Sequence, residues 1–116
     1  MEELNLSDRL RLIAGLIKKG SKVADIGTDH GYLPIFLVKS GITDRVIAMD
    51  VRKGPLKKAE DNTRAFCVFD QIELRLSDGL AALEKGEADT VTISGMGGRL
   101  IQSILTNGME TVSYTH

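Results

Sequence analysis

The stretch that most constrains what this chain can fold into is 22–34, K-V-A-D-I-G-T-D-H-G-Y-L-P. It reads as a short buried strand that ends on a carboxylate, turns through two glycines and enters a helix. The residues from Val23 to Ile26 are apolar apart from Asp25. Gly27 and Gly31 bracket a turn carrying Thr28, Asp29 and His30, where backbone and ligand can approach closely. Such a layout suits a nucleotide-cofactor loop. It departs from the dinucleotide fingerprint G-x-G-x-x-G, because Asp29 stands where the second glycine would let a pyrophosphate approach. Asp25 and Asp29 repel a phosphate and attract a cofactor that carries an ammonium and a sulfonium. S-adenosylmethionine fits that description.

Acids recur downstream at the ends of other predicted strands. Asp50 closes the apolar run 45–49 and falls 19 residues after Gly31, about the separation at which a Rossmann-type unit places a carboxylate on ribose hydroxyls. Asp78-Gly79 follows the β-like run 72–76, and the run 88–93 leads into Ser94-Gly95-Met96-Gly97-Gly98. In an open α/β sheet the carboxyl ends of the strands are where ligands bind. Between these strands the spacing predicts helices. The first is capped by Ser7 and carries Leu10, Ile13, Leu16 and Ile17 at three- and four-residue intervals. The second starts near Gly31 and tolerates Pro34 in its first turn. A third runs from Gly54-Pro55 to about Ala65, a short one carries Leu80 and Leu83, and a last one opens at Gly98 with Leu100, Ile101, Ile104 and Leu105. Alternating strands and helices demand crossovers, so the sheet is expected to be parallel with right-handed connections.

The runs S-D-R-L (7–10), A-D-I-G-T-D-H-G-Y-L-P (24–34), G-P-L (54–56), S-D-G-L (77–80) and S-G-M-G-G (94–98) follow one another in order. Over roughly the first 105 residues the chain thereby resembles the bacterial tRNA adenine-N1-methyltransferase family that modifies adenosine 22. The D-H-G-Y-L-P loop and the G-M-G-G turn are its most specific parts. The resemblance implies an α/β, Rossmann-like class I S-adenosylmethionine-dependent methyltransferase fold with parallel strands in the order 3-2-1-4. Family members have a seven-stranded methyltransferase domain followed by a helical, partly coiled-coil domain, so the fold here is expected to be truncated. A partial methyltransferase domain is expected over 1–107 and an irregular tail over 108–116. Strand four would then be an open edge, a surface for aggregation or for a dimer.

Site roles follow from both readings. Gly27, Thr28 and Gly31 are expected to let the methionine part of the cofactor approach. Asp25 either orders the loop by accepting backbone hydrogen bonds or holds the cofactor's ammonium. Asp50, with the adjoining Val51, is assigned to the ribose. Asp78, Gly79 and Leu80 resemble the segment that contacts the adenine of S-adenosylmethionine, with helix capping as the plainer role for Asp78. Gly95, Met96 and Gly97 resemble the wall between cofactor and target base; a flexible strand-to-helix turn is the alternative. Asp29 and His30 line the loop, where a turn-forming Asp beside a solvated His is the bland reading. Adenine N1 has an in-plane lone pair and needs alignment more than a base. Asp29 is therefore the electrostatic candidate, with Met96 and Gly97 as catalytic neighbours.

Composition sets the outer bounds. A chain of 116 residues, 42% hydrophobic and 27% charged, suits one small globular domain. Its apolar stretches are too short to span a bilayer, and Met1-Glu2-Glu3 lacks the basic start of a signal peptide, so a cytoplasmic protein is expected. No metal site is expected, since His30 and His116 are its two histidines. Cys67, between Phe66 and Val68, is expected to pack as a small hydrophobe. The net charge of −1 is no signature of a nucleic-acid binder. Local clusters exist at Arg9, Arg11, Lys18, Lys19 and Lys22, and at Arg52, Lys53, Lys57, Lys58 and Arg64. Read alone they are solvated helix faces; the resemblance adds tRNA phosphates as their partner. Two other functions remain open: a class I methyltransferase for a small molecule, and a non-catalytic nucleotide-binding fragment or dinucleotide binder.

Overall fold

The computed structural model describes residues 6–94, 99–105 and 109–115, with side chains described from 6 to 94. The first helix, α1 (Asp8–Leu16), begins where the Ser7 hydroxyl accepts the Leu10 N–H, satisfying one of the amides that a helix start leaves unpaired. The chain continues through β1 (Val23–Ile26), α2 (Tyr32–Lys39), β2 (Val46–Asp50) and α3 (Lys53–Ala65). A single 3₁₀ turn at Phe69–Gln71 leads into β3 (Ile72–Leu76), followed by β4 (Thr90–Ile93), β5 (Arg99–Leu105) and β6 (Met109–Thr115). The sheet order is β3-β2-β1-β4-β5-β6. The first four strands are parallel, in the expected order 3-2-1-4, while β5 and β6 add as antiparallel neighbours.

Strand residues alternate between two faces, and each face has its own core. Val23, Val46, Ala48 and Ile72 pack with Ile13 and Ala14 of α1, with Ile17 just after it, and with Leu33, Ile35, Leu37 and Val38 of α2. Flanked by α1, α3 and β2, α2 is apolar nearly all round, as a helix buried on several sides must be. Pro34 sits in its first turn, where no intrahelical N–H bond is lost. On the other face Ala24, Met49, Val91 and Ala88 form a smaller cluster, against which Ile26, Ile47 and Leu83 pack. Among the described residues no helix is long and apolar enough to cross a membrane.

Five expectations need correction. The segment carrying Leu80 and Leu83 is a run of turns, not a helix. The Ser77 hydroxyl donates to the Gly79 carbonyl and accepts the Ala82 N–H, a local arrangement that competes with helical bonding. The stretch expected as a last helix is β5, and the expected irregular tail is β6, so the hairpin straddles the expected boundary at 107/108. Its spacing of Leu100, Ile101, Ile104 and Leu105 fits a helix, but the tail supplies a strand partner rich in Thr, Val and Tyr. Consequently β4 offers no open edge for a dimer: Val91 pairs with Ile101 and Thr92 with Leu100, which satisfies backbone groups that a free edge would expose. Cys67 is exposed, at φ 60, while Phe66 and Val68 turn inward.

At Gly31 the start of α2 lies close against α3. This glycine caps α2 at φ 77, and a Cβ there would stand 3.2 Å from the Ala59 Cβ. Gly41 has nearly the same φ of 75 but open space around it. Gly41→Ala is therefore expected to lower stability by about 1 kcal/mol through backbone strain alone. Gly31→Ala adds overpacking and is expected to lose at least ~1 kcal/mol more. Urea unfolding of both variants checks this, and equal losses would mean that Ala59 yields freely.

Candidate functional site

Beyond the strand ends, backbone bonds draw successive loops to the carboxyl edge of the sheet. Thr28 N–H donates to the Met49 carbonyl at 2.9 Å, Ser77 N–H to the Asp50 carbonyl at 2.9 Å and Ser94 N–H to the Ile26 carbonyl at 3.2 Å. The loops after β1, β2, β3 and β4 are thus held side by side. Asp25 and Asp29, four residues apart, and Asp50, 21 residues further on, come to this edge on β1, its loop and β2.

Asp25 is completely buried. Its register partner on β4 is Thr92, and one carboxyl oxygen, Oδ1, accepts the Thr92 hydroxyl at 2.6 Å and the Ser94 hydroxyl at 2.7 Å. Burial pushes the carboxyl up from 3.8 to about 6, against those two hydroxyls, which favour the charged form. The other oxygen, Oδ2, and the nearby Thr28 hydroxyl are buried without a hydrogen-bond partner among the described residues. Asp25 therefore ties β1 to the end of β4 and keeps acceptor capacity in reserve.

Asp50 is also buried, and its donors are two main-chain N–H groups and one guanidinium. Oδ2 accepts the Asp29 N–H at 3.3 Å, and Oδ1 accepts the Arg52 N–H at 2.9 Å with the Arg52 guanidinium at 3.4 Å. Asp29 lies at φ 54, a left-handed conformation that few residues other than glycine tolerate as well as Asp and Asn. Its half-exposed carboxylate stands 3.4 Å from His30 Nδ1, and the His30 ring stacks on Tyr32 at 5.1 Å and 9°. From α3, Asn62 Nδ2 donates to the His30 carbonyl at 2.8 Å.

The remaining sequence candidates border this centre. Val51 and Leu80 expose apolar surface, Asp78 is exposed, and Gly79 turns at φ 59 inside the loop shaped by Ser77. That loop is clasped to the sheet by Arg75, which donates to the Ala82 carbonyl at 2.7 Å and pairs with Glu73 and Glu87. The guanidinium holds Glu87 down to about 2. Gly95, Met96 and Gly97 lie outside the described residues. Sequence reasoning missed Thr92, Ser94, Asn62 and Ser77, whose partners are set by register and helix placement and leave no local signature. A separate open cavity of about 830 Å³ lies at the amino-terminal ends of the strands, lined by Lys22, Asp44, Arg45, Gln71 and Glu73 among others. Its lining includes none of the buried side-chain atoms left without a partner among the described residues, so the carboxyl edge is the better candidate site.

Comparison with known proteins agrees with this geometry. Residues 6–116 match the family described as Methyltransferase domain. The chain is 41% identical over 113 residues to the tRNA (adenine(22)-N(1))-methyltransferase of Bacillus subtilis, covering 97% of this chain and 48% of that enzyme. Among solved structures, M. capricolum TrmK in complex with S-adenosyl-homocysteine is 43% identical with a TM-score of 0.73, over 78% of this chain and 41% of that one. The structure of Streptococcus pneumoniae Sp1610 in complex with S-adenosyl-L-methionine gives 40% and 0.75, over 80% and 44%. The chain thus spans about half the length of the Bacillus enzyme. The resemblance carried by D-H-G-Y-L-P and G-M-G-G is borne out.

The raised pKa of Asp25 has a testable sign. The folded state binds this proton more tightly than the unfolded chain, so the contribution of Asp25 to stability is fully present below pH 3.8 and is lost as the pH rises through about 6. The loss amounts to about 3 kcal/mol. Asp25→Asn keeps the shape without the charge and is expected to gain stability relative to the native chain between pH 4 and 7. Urea unfolding across that range checks it; parallel curves for the two proteins would mean that Asp25 titrates normally.

Proposed function

The chain belongs to the methyltransferase-domain family, and from that premise we propose that it binds S-adenosylmethionine at the carboxyl edge of the sheet and takes part in methyl transfer to N1 of adenosine 22 in tRNA. The observation that carries this reading is the convergence of Asp25, Asp29 and Asp50 on one edge. Together they suit the positive charge of the cofactor and of the methylated base as well as ribose hydroxyls, and they disfavour a pyrophosphate. The fit extends to individual atoms. The unpartnered Asp25 Oδ2 and Thr28 hydroxyl can answer the amino-acid end of the ligand. Asp50 Oδ2 accepts one N–H and keeps a lone pair for a ribose hydroxyl. Val51 and Leu80 offer apolar surface to the adenine, beside Asp78 and Gly79.

When bound, S-adenosylmethionine supplies an electrophilic methyl, which adenine N1 takes with its in-plane lone pair while the sulfur keeps the electrons of the broken bond. The protein's own task is alignment and charge. Asp29, half-exposed and paired with His30, offsets the positive charge that the base acquires. Gly95, Met96 and Gly97 would form the wall against which that base lies. The exposed cations Lys53 and Lys58 at the start of α3 would meet phosphates, whereas Arg52 is engaged by Asp50 and Lys57 by Glu60 and Asp61. A paired adenine has N1 on its pairing edge and must be exposed first.

Calorimetric titration with S-adenosylhomocysteine and with NAD tests the cofactor. Binding is expected for the first alone, weakened about tenfold or more in Asp50→Ala; equal affinity in the two proteins would remove Asp50 from the site. Transfer of labelled methyl to tRNA tests the reaction. Asp29→Asn is expected to slow it by about 10- to 100-fold with cofactor affinity changed less than about threefold. If rate and affinity fell together, Asp29 would belong to the cofactor pocket and not to the base. Cofactor binding without transfer would leave the chain a nucleotide-binding module.

A further inference from the structure

We infer that Asn62 is a positioning residue for the Asp29–His30 turn, gripping it from α3; this rests on the reading above that the turn faces the cofactor. Asp29 is held at φ 54, and a strained backbone of this kind persists only where its surroundings over-determine it. Two bonds do so. Upstream, the Asp29 N–H is taken by Asp50 Oδ2 at 3.3 Å; downstream, the His30 carbonyl is taken by Asn62 Nδ2 at 2.8 Å. The second is the shorter and comes from a helix 32 residues away in the chain.

Packing reinforces it. Ala59 and Asn62 are three residues apart on α3 and so share a face. Ala59 receives Gly31, whose Cα leaves no room for a Cβ beyond 3.2 Å, and Asn62 receives the preceding carbonyl. One helical face thus holds residues 30 and 31 together. The chemistry of the side chain matters: a carbonyl oxygen needs a donor, which Asn has, Leu lacks, and an ionised Asp replaces with a repelling acceptor. Since the His30 ring stacks on Tyr32 and its Nδ1 faces Asp29 Oδ2, fixing the His30 carbonyl also fixes how the ring meets the Asp29 carboxylate.

Asn62→Leu and Asn62→Asp, both close to Asn in size, separate the donor from the packing. Amide hydrogen exchange is read at Thr28, Asp29 and Gly31, all of which donate hydrogen bonds, against Ala24 and Ala48 in β1 and β2. Both variants are expected to speed exchange in the turn about tenfold or more, with the strands changed less than about twofold, and to weaken S-adenosylhomocysteine about tenfold. Unchanged exchange in the turn, or acceleration spread equally over the strands, would overturn the inference. So would a loosened Asn62→Leu beside a native-like Asn62→Asp, because packing alone would then explain the role. Should Asn62→Leu fail to fold, Asn62→Asp carries the comparison. If the native chain binds no S-adenosylhomocysteine, the cofactor reading fails while the exchange data still decide the role of Asn62.

Discussion

A carboxylate removed from water is costly unless donors surround it, and the way Asp50 meets that demand organises the carboxyl edge of this sheet. One of its oxygens takes the Asp29 N–H, the other the Arg52 N–H, and its main-chain carbonyl takes the Ser77 N–H. Three loops that follow three different strands are thereby referred to a single residue. Asp25 does related work between β1 and β4, with a difference that matters chemically. Its donors are the hydroxyls of Thr92 and Ser94, both on one oxygen, and the other oxygen is left without a partner among the described residues. Both oxygens of Asp50 are engaged by the protein, with a lone pair of Oδ2 to spare, whereas Asp25 leaves one whole oxygen unengaged among the described residues.

The two faces of the sheet support this edge unequally. On one face α1, α2 and α3 form a helix layer, and the contact of Gly31 with Ala59 lets α3 approach the first loop closely enough for Asn62 to reach it. On the other face the cover over Ala24, Met49 and Val91 is the irregular segment carrying Leu83 and Ala88. That segment has no helical ladder of its own, and Arg75 supplies fixed bonds in its place through Ala82 and Glu87. The loop bearing Asp78, Gly79 and Leu80 is therefore held by a charged clasp, where the loop bearing Asp29 is held by helix packing. A site assembled this way has one side rigid through apolar burial and the other through a few polar bonds, which are more sensitive to their surroundings.

Much of this was legible in the chain itself because the signals are local. Apolar runs ending on Asp25, Asp50 and the residue before Ser94 mark strands, Ser7 and Gly31 mark helix starts, and alternation of the two elements leaves a parallel sheet as the economical solution. Where local signals conflicted, reading failed. The pattern of Leu100, Ile101, Ile104 and Leu105 fits a helix period, and only a strand partner on each side makes it β5. Leu80 and Leu83 also suit a helix, but the Ser77 hydroxyl holds the chain in turns.

What the sequence determined by itself is the alternation of elements, the order of acids at the strand ends and the glycines that let the first loop turn, since each depends on neighbours within a few residues. What only tertiary structure decided is which groups those acids meet. Thr92 and Ser94 reach Asp25 across 67 and 69 residues, and Asn62 reaches His30 across 32. Register between β1 and β4 and the closeness of α3 to Gly31 set those distances. Neither is encoded in a window of sequence, because hydrogen-bond partners are chosen by where packed elements come to rest and not by the residues beside them in the chain.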